Sequence, residues 1–240
     1  MGYSPHKLMQ IVTSKRSPNF TDLVIGVDYV VIHYTAATLE RTLAIFMNPA
    51  SEVSAHIVID RDGSVHELVP CFDGSALRAW HAGKSRLDSQ DGTLIEGFND
   101  RSIGIELVNL NGNIIPYTEA QYAALFKTIE RLKGSYPALA KPESIVGHEQ
   151  IAGFRGKCDP GILFEWERLF SVCYPNGGMP ARSPLCRQAV ADKILALAKA
   201  LGVTIEPASG EVKVPSGAEG LFAHLSSLIE SALSRDDPGY

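Results

Sequence analysis

The chain has 240 residues, a formal net charge of −5 and an apolar share of 45%, an ordinary globular composition long enough to bury a core. The acidic balance argues against a nucleic-acid partner, which calls for a basic excess. No apolar run in the sequence approaches the roughly eighteen residues that cross a bilayer.

"MGYSPHKLMQIVTSKRSPNF" lacks the unbroken apolar stretch of a secretory signal, and His6 stands where a myristoylation signal needs Ser or Thr. A cytoplasmic chain is therefore the expectation, and a periplasmic or extracellular one if a leader has been removed. Cys71, Cys158, Cys173 and Cys186 form no CxxC pair and read as free thiols of a reducing compartment.

In chain order, "YVVIHY" (29–34) is a β-branched run and predicts a buried strand. "TLERTLAIFMN" (38–48) has helical apolar spacing and is stopped by Pro49. "AHIVIDRDGSVHELV" predicts a hairpin turning at Asp62-Gly63. Residues 83–100 are rich in Gly and charge and read as a long surface loop. "SIGIELV" (102–108) predicts a strand. "TEAQYAALFKTIERLKGSYP" (118–137) predicts an amphipathic helix, capped by Thr118 with Gln121 in a capping box and closed by Gly134 and Pro137. "SIVGH" (144–148) predicts a short strand and "ILFEWERLF" (162–170) a last helix. Interleaved strands and helices with one hairpin imply an α/β fold, a mixed central sheet flanked by helices. The Pro- and Gly-rich "YPNGGMPARSP" begins a linker. Residues 1–174 thus form one domain and 175–240 an extension with helical patterns at 184–201 and 216–234, which pack on the domain or mediate self-association.

"GHEQIAGFRGKCDPG" (147–161) concentrates the chemistry. In an extended "KCD", Lys157 and Asp159 point one way and Cys158 the other, and Pro160 favours that conformation at Asp159. His148 and Asp159 are then plausible Zn²⁺ ligands, needing a third ligand and an open position for water. His33, inside a β-branched strand where an unpartnered imidazole is costly, is the best third candidate. From pattern alone other readings stay open: a satisfied core histidine at 33, a turn residue at 159, a solvated sheet face for Glu106 and a surface lysine at 157. Glu106 shares its strand face with Gly104, whose small size leaves room for substrate. "RAWHAG" puts Trp80 and His81 at a cleft wall, as an apolar plate and a hydrogen-bonding edge, or simply in the core.

The motifs "VIHYTA", "VSAHIVIDRDG", "AWHAG", "NDRSIGIEL", "GHEQIA" and "KCDPG" occur in the order expected of the zinc-dependent N-acetylmuramoyl-L-alanine amidases, which the chain resembles over about residues 28–170. That family also looks like T7-type phage lysozyme and the peptidoglycan recognition proteins. The resemblance implies that fold, zinc held by His33, His148 and Asp159, Glu106 as base and Lys157 as oxyanion stabiliser. It implies cleavage of the amide between N-acetylmuramic acid and L-alanine in peptidoglycan or muropeptides. The rival is a recognition protein that binds muropeptide without cutting it; a zinc peptidase acting between amino acids is a third reading. Two departures stand out: Ala55 where some relatives have Tyr, and Gly97 where many cytosolic ones have Arg.

Overall fold

The computed structural model describes residues 11–88 and 92–180 and, beyond them, 199, 202–205, 212–213 and 215–217. The early strands are β1 (Ile11–Val12), β2 (Phe20–Val24) and β3 (Tyr29–Tyr34), then helix α1 (Leu39–Phe46). Next come β4 (Ile57–Ile59), β5 (Val65–Glu67), β6 (Leu77–Ala79), β7 (Arg86–Asp88), β8 (Leu94–Glu96) and β9 (Ser102–Leu107). Helix α2 (Glu119–Ser135), strand β10 (Ile145–Gly147) and helices α3 (His148–Ala152) and α4 (Trp166–Cys173) complete the domain. A short hairpin follows, β11 (Thr204–Ile205) with β12 (Val212–Lys213).

Six strands form the central sheet, in the order β1-β5-β4-β9-β3-β10. Only the β4–β5 hairpin is antiparallel; the other pairings are parallel. Gly63 makes that hairpin possible, adopting φ 85° and donating its N–H to the Asp60 carbonyl. β3 lies between β9 and β10, so the run Val30–Ile32 is wholly buried, as expected of a parallel strand covered on both faces.

Alternation splits the strand residues between two cores. Val30, Ile32, Ile103, Ile105 and Ile145 pack with Leu125, Ile129 and Leu132 of α2 and Leu169 and Phe170 of α4. Val31 and Val146 look the other way, onto Ala82, Phe98 and Ile151. α2 begins as its sequence predicts: the Thr118 hydroxyl accepts from the Gln121 N–H, and the Gln121 amide oxygen accepts from the Thr118 N–H, both at 3.1 Å.

Several boundaries differ from expectation. Residues 83–100 are not a plain loop: β7 and β8 pair antiparallel and a 3-10 turn, Phe98–Asp100, buries the Phe98 ring. The helix expected from Ile162 starts at Trp166, because Gly161–Glu165 are used to brace the preceding turn. α2 runs through Gly134 to Ser135 instead of stopping there. β1 and the β2–β6 pair had no sequence signal, being short and joined to partners far along the chain. The C-terminal helical patterns, and any self-association through them, lie outside the described residues save for scattered positions. Among the described residues, no helix is long and apolar enough to cross a membrane.

Candidate metal centre

The sheet register assembles the centre. Val58, Glu106 and His33 are cross-strand partners in one row on β4, β9 and β3. Gly147, the last residue of β10, pairs with Ile32, so His148 leaves the sheet beside His33. His148 is thus the first residue of α3, not the last of a strand as its sequence suggests. The row lies at the carboxyl ends of three parallel strands, where α/β sheets present their sites.

Asp159 arrives from the turn after α3. The Glu149 N–H donates to its carbonyl at 2.9 Å, and the Asp159–Pro160 peptide is cis. Its Oδ2 lies 3.0 Å from His33 Nδ1 and 3.0 Å from His148 Nδ1. One ligand atom from each of the three residues falls within 4.8 Å of the others, and all three residues are buried. Cys158 turns the other way, with Sγ 3.6 Å from the Tyr34 hydroxyl and 3.7 Å from Asn113 Nδ2.

A brace of asparagines holds that turn. The Asn109 side-chain oxygen accepts from Asn111 N–H, that of Asn111 from Asn113 N–H, and that of Asn113 from Ile162 N–H. The Tyr117 hydroxyl donates to the Pro160 carbonyl at 2.6 Å, and Leu163 N–H donates to the Gly112 carbonyl at 3.1 Å. Sequence reasoning missed this brace, although "NLNGN" carries the Asn and Gly of a turn.

Burial sets the charges. Desolvation, then the nearby His148, lowers the His33 pKa from 6.5 to about 4, so the imidazole is neutral. Burial pushes Asp159 upward, but His148 and His33 outweigh it and hold the carboxyl well below the usual range. Glu106 goes the other way: desolvation first, then the Asp159 charge, raises it from 4.5 to about 8, with Lys157 opposing. The Glu106 residue is half-buried, yet its Oε2 is closed to solvent and finds no hydrogen-bond partner among the described residues. Lys157 is exposed, its charge close enough to act on Glu106 and His33.

Trp80 is half-buried, its indole N–H donating to Thr21 Oγ1 of β2 at 3.1 Å. His81, expected to offer a free edge to substrate, instead has both ring nitrogens beside protein atoms: Nδ1 is 3.1 Å from His33 Nε2, and Nε2 is 3.3 Å from the Ser102 carbonyl. The room expected over Gly104 is filled by this ring: a Cβ on residue 104 would collide with the His81 Cγ and come within 2.6 Å of its Nδ1. Arg155, not singled out from the sequence, donates to the Ala82 carbonyl at 2.8 Å and lies 3.4 Å from His148 Nε2.

Two buried imidazoles and a carboxylate converging at the end of a mixed sheet define the class, an α/β domain with a cluster able to hold a metal ion. The chain belongs to the N-acetylmuramoyl-L-alanine amidase family, whose model matches residues 24–162. It is 44% identical over 120 residues to the 1,6-anhydro-N-acetylmuramyl-L-alanine amidase AmpD of Enterobacter cloacae, a match covering 50% of this chain and 57% of that protein. The chain therefore spans little more than half the length of that curated relative. A crystal structure of a selenomethionine derivative of AmpD superposes with a TM-score of 0.54 at 33% identity, covering 72% of this chain and 99% of that one. The Escherichia coli amidase AmiD, solved with anhydro-N-acetylmuramic acid-L-Ala-D-γ-Glu-L-Lys, gives 0.52 at 31% identity, covering 63% and 58%.

Proposed function

We propose that the chain is a zinc-dependent hydrolase cleaving the amide between N-acetylmuramic acid and L-alanine in muropeptides or peptidoglycan, with residues 1–174 carrying the activity. The observation that carries this reading is the convergence of His33 Nδ1, His148 Nδ1 and Asp159 Oδ2 beside Glu106, whose Oε2 has no hydrogen-bond partner among the described residues. The donor set fits zinc: two nitrogens and one carboxylate oxygen from protein, which leaves a fourth tetrahedral position for water or substrate. The protonation states fit as well, since His33 is neutral and Asp159 ionised. His33, His148 and Asp159 would hold the ion.

Bound zinc supplies Lewis acidity and makes water a nucleophile near neutral pH. Glu106 receives the proton of the attacking water and returns it to the departing alanine nitrogen. With the ion held by His33, His148 and Asp159, the Asp159 charge would be offset and Glu106 would ionise more readily, as this step needs. Lys157 reaches in from the exposed turn to stabilise the oxyanion formed at the scissile carbonyl. Trp80 offers a plate for sugar or peptide. The names of the AmpD and AmiD relatives support muropeptide as the substrate class.

The test is a purified muropeptide, in anhydro and in reduced form, with products read by mass. Free stem peptide should appear, vanish with a chelator and return with Zn²⁺. Zinc uptake without peptide release would make the chain a recognition protein instead, and cleavage between amino acids would make it a peptidase. Comparing soluble muropeptides with whole sacculi then separates a recycling role from a lytic one.

A further inference from the structure

We infer that His81 is a positioning residue for the metal centre: its imidazole accepts the His33 Nε2–H and so fixes the tautomer that presents His33 Nδ1 to the ion. This rests on the zinc reading above. The Ser102 carbonyl can only accept, and it lies 3.3 Å from His81 Nε2. The Ser102 hydroxyl, 3.4 Å from the same nitrogen, donates elsewhere, to the Phe98 carbonyl at 2.5 Å. His81 Nε2 therefore carries the ring proton, and Nδ1 of the neutral ring is an acceptor.

That acceptor is 3.1 Å from His33 Nε2. His33 then holds its own proton at Nε2, which leaves the Nδ1 lone pair facing the ligand cluster; with Asp159 Oδ2 3.0 Å away, that arrangement needs the cation between the two acceptors. The opposite assignment sets a lone pair of His81 against the Ser102 carbonyl and places a proton on the His33 nitrogen that has to bind the ion. Both consequences are unfavourable when the ion is bound.

Packing holds the relay in place. The His81 ring lies over Gly104, where any Cβ would displace it. Gly104 is pinned in turn, its N–H donating to His56 Nδ1 at 3.0 Å while His56 Nε2 donates to the Leu77 carbonyl at 2.8 Å. Partners of this kind orient ligating histidines, and their loss lowers metal affinity by about 10- to 100-fold.

Two substitutions separate shape from hydrogen bonding. His81→Asn puts an amide oxygen near the position of Nδ1, whereas His81→Leu fills space and accepts nothing. Zinc affinity, measured by competition with a chromophoric chelator, should fall about 10- to 100-fold in His81→Leu and recover most of that loss in His81→Asn. Long-range ¹H–¹⁵N spectra of the zinc-loaded wild type should show His33 protonated at Nε2. Protonation at Nδ1 overturns the proposal, and so does a His81→Leu variant that binds zinc as tightly as wild type or a His81→Asn variant no better than His81→Leu. Should His81→Leu fail to fold, the spectrum of the wild type decides. A wild type that takes up no zinc defeats the metal reading and this proposal together; a zinc-binding wild type with an indifferent His81→Leu defeats this proposal alone.

Discussion

Asp159 and Glu106 are carboxylates of one site with opposite surroundings, and the contrast predicts different losses. Asp159 lies 3.0 Å from two imidazoles, and Glu106 Oε2 touches no donor among the described residues. Asp159→Ala should lose zinc and activity together, read as metal content after dialysis and as rate. Glu106→Gln should keep its zinc and slow turnover by about 10²–10⁴. A full-rate Gln variant would remove Glu106 as the base, and a zinc-free one would make it a ligand. Strand position and the Asp-Pro-Gly turn, both local, made His33 and Asp159 candidates, and the family resemblance chose the ligand reading over a core histidine and a turn residue. That His33 Nε2 meets His81, 48 positions away, was not legible. Period and propensity name the face a side chain takes, never the neighbour it finds across the fold.

At the scale of elements, legibility followed locality in the same way. β3 runs from Tyr29 to Tyr34 as its β-branched run predicts, and the Thr118 capping box forms between residues three apart. The β7–β8 ribbon was hidden because its strands are three residues each and its flanks are rich in Gly and charge. The brace under Asp159 was hidden for another reason: it joins residues 109–117 to 160–163, segments that only the closed sheet brings together. Its tightest point is Gly112, where a Cβ would collide with the Pro160 carbonyl and the Tyr117 hydroxyl. Gly112→Ala must therefore push the ligand turn away from the sheet. We expect a loss of about 1–3 kcal/mol in a denaturant melt, together with weaker zinc binding than a surface Gly→Ala such as Gly26→Ala, which meets nothing within 4 Å. Equal zinc affinity in the two variants would show that the brace does not position Asp159.

For the molecule as a whole, the main core among the described residues draws on β3, β9, α2 and α4 and reaches Tyr174. If residues 1–174 carry the activity, as proposed, a chain of residues 1–180 is expected to fold, bind zinc and keep its rate within about a factor of three. A truncated chain that aggregates or loses zinc would assign the extension to the fold. The same core makes stability depend on pH in a way that runs in two directions. In metal-free protein His33 and His56 titrate at about 4 instead of 6.5, mainly through desolvation, and His81 and His66 shift the same way. The stability tied to these rings is complete above about 6.5 and is lost as pH falls towards 4, because the unfolded chain takes protons the folded one refuses. Glu106, at about 8 against 4.5, acts oppositely: its share is complete below 4.5 and is lost as pH rises through 8. Several imidazoles outweigh one carboxyl between pH 4 and 6.5, and above 6.5 only the carboxyl still changes. The melting temperature of the chelated protein should therefore climb from pH 4 to 6.5 and then fall towards 8, with at most about 1.4 kcal/mol per pH unit from any one group. Glu106→Gln should remove the falling limb and leave the acid limb unchanged. Zinc should flatten it too, since a cation beside Glu106 favours the ionised form. A chelated wild type whose melting temperature goes on rising to pH 8 would mean that Glu106 is already ionised at neutral pH without the metal.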